Sequence, residues 1–271
     1  KLLTPDQLVE KASEHEVSMQ NLASRRLKKL RDDGEDVPDV IDESELAGKG
    51  RIKQKFAGSS FGELFEDVDG IDDDDVKEAC VRLMLTKMLQ AAAALDRIDM
   101  VHRDLHDGNI TMGENGQVKL IDFGLAKRKG DSDLKLEMTS GVGAKGEYGF
   151  KPPPETENAI SSIYKKGATK ADLAAASSFS SSSKADVYGV GFLMSGRTNQ
   201  ILKTPRKEMV DLMNELQADV PADRPSAADA LTRLKAFDTG HEAAAETQLQ
   251  GFAKARIQKT LAEPTTTVAS E

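Results

Sequence analysis

Apolar residues recur at helical spacing in three stretches of the chain. The longest stretch follows Thr4, a suitable N-cap, and predicts a helix over residues 4–31. A second stretch predicts a helix over residues 76–97, and the acidic run at residues 72–75 suits the positive end of its dipole. A shorter amphipathic stretch predicts a helix over residues 208–216. Much of the chain is therefore expected to be helical.

Shorter apolar runs predict strands between these helices. Residues 37–42 and 51–56 form two such runs, and the glycines at residues 48–50 suit the turn between them. Another run at residues 117–121 follows a turn at residues 114–116, so it is expected to form the second strand of a hairpin. Polar residues lie immediately before and after this hairpin.

Two polar clusters flank the hairpin at fixed spacing. The first reads HRDLHDGN over residues 102–109, and Asp104 precedes Asn109 by five residues. The second is Asp122 followed by Phe-Gly, thirteen residues after Asn109. A single turn rich in Asp, Asn and Gly is common, but two such clusters at this spacing around a strand are not. The pair resembles the catalytic loop and the D-F-G segment of protein kinases.

This resemblance implies transfer of a phosphoryl group from ATP to a hydroxyl. Asp104 would accept the hydroxyl proton, and Asn109 and Asp122 would supply oxygen ligands to Mg²⁺. ATP and Mg²⁺ are thus the expected cofactors, and a serine or threonine of a protein substrate is the expected acceptor. Arg103 would receive a phosphate carried by the activation segment. Candidate phosphorylation sites in that segment are Ser132, Thr139 and Ser140.

Three motifs farther along the chain extend the resemblance. The sequence GEYGFKPPPE at residues 146–155 resembles the end of a kinase activation segment, with Glu147 in the place of the usual threonine. Asp186, in DVYGVGFLM, would brace the backbone of the catalytic loop. Arg224, followed by Pro-Ser-Ala, would form a buried ion pair with Glu155. Such a pair is costly to break because one charge is then left buried without its partner.

The nucleotide-binding half of the resemblance is less complete. In the family, a glutamate of the first helix pairs with a lysine of the preceding strand, and Glu16 and Lys1 stand at about these positions. Glu10 and Glu14 remain alternatives to Glu16. No glycine-rich G-x-G-x-x-G segment precedes the helix, so the first strands of the small lobe are expected to be missing or replaced.

A segment after the second predicted strand resembles the kinase hinge. Residues 55–58 read Lys-Phe-Ala-Gly and precede a helix start. The resemblance implies that backbone groups here, at Phe56 and Ala57 in particular, would hydrogen-bond the adenine of ATP. A plain loop before a helix is an equal reading of the same residues.

The resemblance also implies an α+β, two-lobed fold with a truncated small β-rich lobe and a large, mainly α-helical lobe. Residues 1–58 would form the partial small lobe, and residues 59–238 would form the large lobe with both polar clusters. A Ser- and Ala-rich insertion is expected near residues 156–183. Residues 239–271 would form a C-terminal helix followed by a flexible tail.

The composition argues against several classes of protein but does not identify the function. The 271 residues carry a net charge of −9, which argues against a general nucleic-acid binder. The single cysteine, Cys80, excludes an internal disulfide and a cysteine-based zinc site, and its helical setting favours a small buried hydrophobe. No apolar run approaches the roughly 20 residues of a membrane span. We expect a cytoplasmic location, and the oligomeric state is open.

Two alternative functions remain at this stage. Small-molecule phosphotransferases of the aminoglycoside or choline kinase type use a similar Asp-to-Asn loop, and His106 in place of the usual lysine resembles their version. A pseudokinase scaffold would keep the fold without the chemistry, which the missing glycine-rich segment favours. The paired Glu155 and Arg224 favour a protein kinase, because the small-molecule enzymes usually lack that pair.

Overall fold

A computed structural model gives the fold. It describes residues 5–47, 51–130, 153–154, 182–237 and 240–262, with side chains from residue 11 onward. The helices are α1 (Pro5–Asp32), α2 (Phe61–Asp69), α3 (Asp74–Arg97), α4 (Ser183–Ile201), α5 (Lys207–Leu216), α6 (Ala227–Lys235) and α7 (Glu242–Ala262), with a 3₁₀ turn at Pro221–Asp223. The strands are β1 (Ser44–Leu46), β2 (Ile52–Gln54), β3 (Ser59–Ser60), β4 (Met100–Val101), β5 (Ile110–Met112), β6 (Val118–Leu120) and β7 (Lys127–Arg128).

The three predicted helices are confirmed as α1, α3 and α5. The proposed N-cap of α1 lies outside the described residues. At the start of α3 the acidic run behaves as expected, because the side chain of Asp73 accepts hydrogen bonds from the backbone N–H groups of Asp75 and Val76. Within the described residues no cluster of His, Cys, Asp and Glu is arranged to hold a metal ion. The run therefore caps a helix.

The strands form small antiparallel sheets. Within the described residues these are β1–β2, β3–β5–β6 and β4–β7. The predicted hairpin is confirmed as β5–β6, and β2 lies inside the predicted strand at residues 51–56. The strand predicted at residues 37–42 is wrong. Val37, Val40 and Ile41 are buried in the core, so their apolar pattern reflects packing. Among the backbone N–H groups of the described residues, that of Leu120 donates to a carbonyl of the segment, that of Val40, and the other donors to the segment are side chains.

Two buried helices, α3 and α4, form the centre of the large helical region. Helix α3 buries residues on most of its circumference, and α4 buries an unbroken run from Ala185 to Gly191. At Gly191 an added Cβ would lie 2.6 Å from the Cβ of Leu216, so glycine is required where α4 and α5 approach. This helical centre, together with the small sheets, confirms the expected α+β class.

Helix α7 completes the packing around α3. It buries Ala245, Leu249, Ala253 and Ile257, which recur every four residues and form one face. Ion pairs lie along the borders of this face. They are Arg82–Glu242, Lys87–Glu246 and Arg256–Asp67. The predicted C-terminal helix is therefore part of the hydrophobic core of the large region.

The single cysteine occupies the α3–α7 contact. Cys80 is fully buried, and burial raises the pKa of its thiol to about 12. The thiol lies 3.8 Å from the carbonyl oxygen of Ala245 in α7. This confirms the expected role of a small buried hydrophobe. None of the helices in the described part of the chain has the length and apolar character that a membrane crossing needs.

Candidate active site

Helix α4 fixes the backbone of the loop that carries the first polar cluster. The carboxylate of Asp186 accepts hydrogen bonds from the backbone N–H of His102 (2.8 Å) and of Arg103 (2.7 Å). Asp186 is buried, and this burial raises its pKa to about 6. Arg103 has a φ of +70°, a strained conformation for a residue other than glycine. The predicted bracing role of Asp186 is thus confirmed, and the two hydrogen bonds hold a strained loop.

Within this loop the side chain of Asn109 forms hydrogen bonds to Asp104. The side-chain Nδ2 of Asn109 donates to the backbone carbonyl oxygen and to Oδ2 of Asp104, at 3.0 Å in each case. Burial favours a higher pKa for the Asp104 carboxyl, but His106 and Asn109 outweigh it and hold the pKa below its usual value. Asp104 is therefore ionised at neutral pH, as a proton acceptor must be.

The β5–β6 hairpin brings the second polar cluster to the first. Ile110 pairs with Leu120, and the N–H of Ile121 donates to the carbonyl oxygen of Asn109 at 3.0 Å. Asp122, the next residue, therefore lies beside Asn109 at the open end of the hairpin. The twelve residues between Asn109 and Asp122 are thus one strand, a turn and a second strand.

Asp122 is exposed while its neighbour Phe123 anchors the segment. The ring of Phe123 is fully buried and meets the ring of His102 edge to face, with 4.8 Å between the centroids. Asp122 has a φ of +61°, and its Oδ1 accepts a hydrogen bond from the N–H of Gly124 at 3.2 Å. The carboxylate therefore keeps its other oxygen for a ligand.

These groups fit a divalent cation. The amide nitrogen of Asn109 is used by Asp104, so its carbonyl oxygen can face a metal ion. The second oxygen of Asp122 adds a carboxylate ligand, and hard cations such as Mg²⁺ prefer oxygen ligands. Two protein oxygens suit an ion that keeps water and phosphate oxygens as its remaining ligands.

Helix α1 brings Glu16 to this region. Its Oε2 lies 3.7 Å from the point that a Cβ on Gly124 would occupy, and Oδ1 of Asp122 lies 3.1 Å from the same point. Burial and the charge of Asp122 raise the pKa of Glu16 to about 7. The ring of His15 also reaches the carbonyl oxygen of Ala126, at 3.0 Å. Helix α1 is thus packed against the segment that follows Asp122.

The alternatives to Glu16 and its expected partner Lys1 are only partly described. Glu14 is exposed, which favours Glu16 as the glutamate of this site, and the side chain of Glu10 lies outside the described residues. Lys1 also lies outside them, as do Glu155 and the candidate phosphorylation sites. Arg224, the residue expected to pair with Glu155, does lie within the described residues. It is buried, it donates hydrogen bonds to the carbonyl oxygens of Ala218 and Lys184, and its guanidinium stacks on the ring of Tyr188.

The predicted hinge lies against strand β5. Gly58 has a φ of +120°, and an added Cβ would lie 2.1 Å from the carbonyl oxygen of Met112. The carbonyl oxygen of Ala57 accepts a hydrogen bond from the hydroxyl of Thr111 at 3.2 Å, whereas the Phe56 side chain is 54% exposed. The segment therefore packs closely against the backbone of β5 at Gly58, whereas the side chain of Phe56 is exposed to solvent.

A cleft of about 260 Å³ opens beside this segment. Its walls include Phe56, Asn115 and Lys119, whereas Asp104 and Asp122 do not line it. The cleft is therefore separate from the two polar clusters. The candidate active site is assigned from the arrangement of its side chains and not from this cleft.

Sequence reasoning missed a pair of residues that fixes this loop, the buried Asp107 and the partly exposed Arg197. Asp107 lies inside the loop, and its carboxylate is bonded to Arg197 of α4, 90 residues away. No spacing rule links residues so far apart in the sequence. The only local signal was a single arginine near the end of a helix that buries most of its residues.

Known proteins share sequence similarity with this chain. The family model of the protein kinase domain matches residues 58–234, more than half of the chain. A probable serine/threonine-protein kinase, SCO3848 of Streptomyces coelicolor, is 38% identical over 65 residues, which are 24% of this chain and 10% of that protein. Probable serine/threonine-protein kinase PknB of Bifidobacterium longum is 34% identical over 91 residues, which are 32% of this chain and 13% of that protein.

Serine/threonine-protein kinase F of Synechocystis is 32% identical over 87 residues, which are 30% of this chain and 16% of that protein. The matched part of the chain thus spans between 10% and 16% of the lengths of these three relatives.

Proposed function

The chain belongs to the protein kinase family, and we propose that it transfers the γ-phosphoryl group of ATP to serine or threonine hydroxyls of a protein substrate. The observation that carries the proposal is the convergence of Asp104, Asn109 and Asp122 at the end of one hairpin. The names of the relatives, all serine/threonine-protein kinases, support the choice of acceptor.

Asp104 is proposed as the catalytic base. Its carboxylate is kept ionised by its neighbours, and Asn109 holds one of its oxygens. The other oxygen would accept the proton of the substrate hydroxyl as the new O–P bond forms. Arg103 is proposed as the receiver of a phosphate on the activation segment, which would add a further constraint to the strained loop.

Asn109 and Asp122 are proposed as the metal ligands, and magnesium as the metal. The family as a whole uses ATP with a divalent cation. When bound, the cation would neutralise charge on the transferred phosphate. The part of this chain in that step is to present two oxygens at the open end of the β5–β6 hairpin.

The nucleotide-binding assignments complete the proposal. Glu16 would pair with the lysine that binds the phosphates, for which Lys1 is the candidate, and backbone groups of Phe56 and Ala57 would meet the adenine. The carbonyl of Ala57 is already bonded to Thr111, so Phe56 is the better candidate of the two. The domain division at residues 58 and 238 and a cytoplasmic location belong to the same proposal.

A transfer assay tests the proposed function. Wild type and the variant Asp104→Asn are incubated with ATP labelled in the γ-phosphate, magnesium and generic protein substrates. We expect label in serine or threonine of the protein with wild type, and a loss of roughly 100-fold or more with Asp104→Asn. Asp99→Asn is the matched control, since Asp99 is a nearby exposed aspartate with positive φ, a conformation that asparagine tolerates.

The same assay separates the alternative functions. Label that appears only in an amine or alcohol metabolite would replace the proposal with a small-molecule phosphotransferase. Nucleotide binding without transfer to any acceptor would replace it with a pseudokinase. Equal transfer by wild type and Asp104→Asn would remove Asp104 from the role of base.

A further inference from the structure

Asp107 is a fully buried carboxylate in the catalytic loop. Its Oδ2 accepts a hydrogen bond from Nε of Arg197 at 3.0 Å and a second, shorter one from Nη2 of the same guanidinium. Its backbone carbonyl accepts a hydrogen bond from the N–H of Gly62 in α2 at 3.1 Å. A buried carboxylate without a cation is strongly unfavourable, so Arg197 is what allows Asp107 to be ionised there.

Arg197 is itself fixed from two sides. It projects from α4, the helix that also carries Asp186, and its guanidinium lies 5.5 Å from the centre of the Phe65 ring in α2. Its Nη1 donates to the side chain of Gln200 at 3.3 Å. The position of the Asp107 carboxylate is therefore set by two helices that lie outside the loop.

The other oxygen of Asp107 faces His106, and His106 faces Asp104. Oδ1 of Asp107 lies 3.8 Å from Nδ1 of His106, and Nε2 of His106 lies 3.7 Å from Oδ2 of Asp104. Both distances fit ionic contacts and are longer than hydrogen-bond distances. The ring of His106 thus stands between the carboxylate that Arg197 anchors and the carboxylate proposed as the base.

The protonation of His106 is constrained by these neighbours. The N–H of Gly108 lies 3.0 Å from Nδ1, which suits a neutral ring with a lone pair on Nδ1 and the proton on Nε2. Burial favours that neutral ring, but the carboxylates of Asp104 and Asp107 raise the pKa of His106 to about 9, which favours the cation. In both forms Nε2 carries a proton and directs it toward Asp104. Two further titratable or charged groups act nearby: His102, whose pKa is lowered by burial, and Arg197, which acts through Asp107.

We propose that Asp107, anchored by Arg197, is a positioning residue for phosphoryl transfer that fixes the ring of His106 against the base Asp104. The inference rests on the proposed function and assigns to the same site residues that act on the base through His106. It makes α4 the source of two constraints on one loop, through Asp186 to its backbone and through Arg197 to its side chains.

The test compares Asp107→Asn, Arg197→Met and the double variant in the full chain. Asp107→Asn keeps the shape and removes the charge, so we expect the NMR titration midpoint of His106 to fall by about one pH unit. The signal is assigned with His106→Asn. We expect kcat to fall roughly tenfold while KM for ATP is unchanged, because the nucleotide ligands are untouched.

Two further readouts distinguish positioning from simple stabilisation. Any limb of the pH–rate profile that reports His106 is expected to move to lower pH in Asp107→Asn, since loss of the Asp107 carboxylate lowers the pKa of His106. The double variant is expected to lose no more kcat than Asp107→Asn alone, because Arg197 acts through Asp107. Arg256→Met is the matched control: Arg256 is 27% exposed against 25% for Arg197, and it pairs with acids of α2. It is expected to lose stability and keep kcat.

Several results would overturn the inference. One is a wild-type kcat in folded Asp107→Asn, and another is an unchanged His106 titration in that variant. Additive losses in the double variant would show that Arg197 and Asp107 act independently. If Asp107→Asn does not fold, Arg197→Lys replaces it, and a wild-type kcat there with a displaced His106 midpoint would count against the inference. A wild-type chain that transfers no phosphate contradicts the proposed function, while the His106 titration still tests the contact.

Discussion

The side-chain nitrogen of Asn109 lies 3.0 Å from both the backbone carbonyl oxygen and Oδ2 of Asp104. One end of the Asn109 amide thus holds the proposed base, and the other end is left as an oxygen ligand. An amide is the side chain that can do both, because it carries a donor and an acceptor on one carbon. The proton acceptor and the metal position are therefore coupled through a single residue.

The variant Asn109→Asp tests this coupling. It keeps an oxygen for the metal but replaces the donor by a second carboxylate, and the like charge raises the pKa of Asp104. We expect kcat/KM to fall roughly 10–100-fold and the acidic limb of the pH–rate profile to move to higher pH.

Asn115→Asp is the control for Asn109→Asp. Asn115 is an exposed asparagine of the hairpin turn whose Oδ1 accepts from the N–H of Gln117, a bond that aspartate can keep. The control should leave kcat/KM unchanged. An unshifted acidic limb in Asn109→Asp would contradict the assigned geometry.

Glu16→Gln is expected to stabilise the protein at high pH. The folded-state pKa of Glu16 is raised to about 7, so the folded protein binds this proton more tightly than the unfolded chain does. The free energy of unfolding of wild type should therefore fall relative to Glu16→Gln as the pH rises from about 4.5 to 7. Because the side chain is partly exposed, we expect a gain of about 1 kcal/mol at pH 8.

Urea denaturation of Glu16→Gln and wild type at pH 5 and pH 8 measures this difference. Glu14→Gln is the matched control, since Glu14 is an exposed glutamate of the same helix. A stability difference that does not change with pH would show that Glu16 is not held near Asp122.

Gly58→Ala is expected to be severely destabilising. The new Cβ would lie 2.1 Å from the carbonyl oxygen of Met112 and would also require a φ of +120° from alanine. Because the contact is with backbone on β5, we expect a loss of about 3 kcal/mol or more. Gly34→Ala separates the two causes, since Gly34 has a φ of +87° and nothing within 4 Å of its added Cβ.

Gly34→Ala should cost about 1 kcal/mol, the cost of the backbone conformation alone. Both variants are measured by thermal and urea unfolding. Equal losses in the two would mean that the contact between Gly58 and β5 is looser than described.

Leu249→Ala tests whether α7 is part of the core. Leu249 is fully buried between α7 and α3, and its truncation is expected to cost about 2–5 kcal/mol in the free energy of unfolding. Leu261→Ala, at a leucine that is 72% exposed on the same helix, should stay within about 0.5 kcal/mol of wild type. A small effect of Leu249→Ala would indicate that α7 is only loosely attached.

The sequence predicted those features that depend on local spacing. The periodicity of α1 and α3, the capping acid Asp73 and the hairpin that joins Asn109 to Asp122 all follow from neighbours in the chain. The brace from Asp186 was predicted across 84 residues, but only because a family resemblance supplied the pairing. The α+β class rested on the same resemblance.

The features that the sequence did not predict depend on distant packing. The buried pattern of Val37, Val40 and Ile41 looks like a strand, yet these residues pack into the core without forming a ladder. The pair of Asp107 and Arg197 joins a loop to a helix 90 residues later, and each residue alone resembles a solvated charge. In both cases the structure depends on contacts with residues distant in the sequence, which the local pattern does not specify.

The contact between Cys80 and Ala245 gives the molecule a built-in reporter. Because the chain has a single cysteine and α7 covers it, a thiol reagent can reach Cys80 only when that helix leaves α3. On the ribosome, residue 80 emerges long before residue 245, so the thiol is not covered by α7 until that helix is made. The rate of alkylation of Cys80 therefore measures how often the core opens at this one contact between α3 and α7.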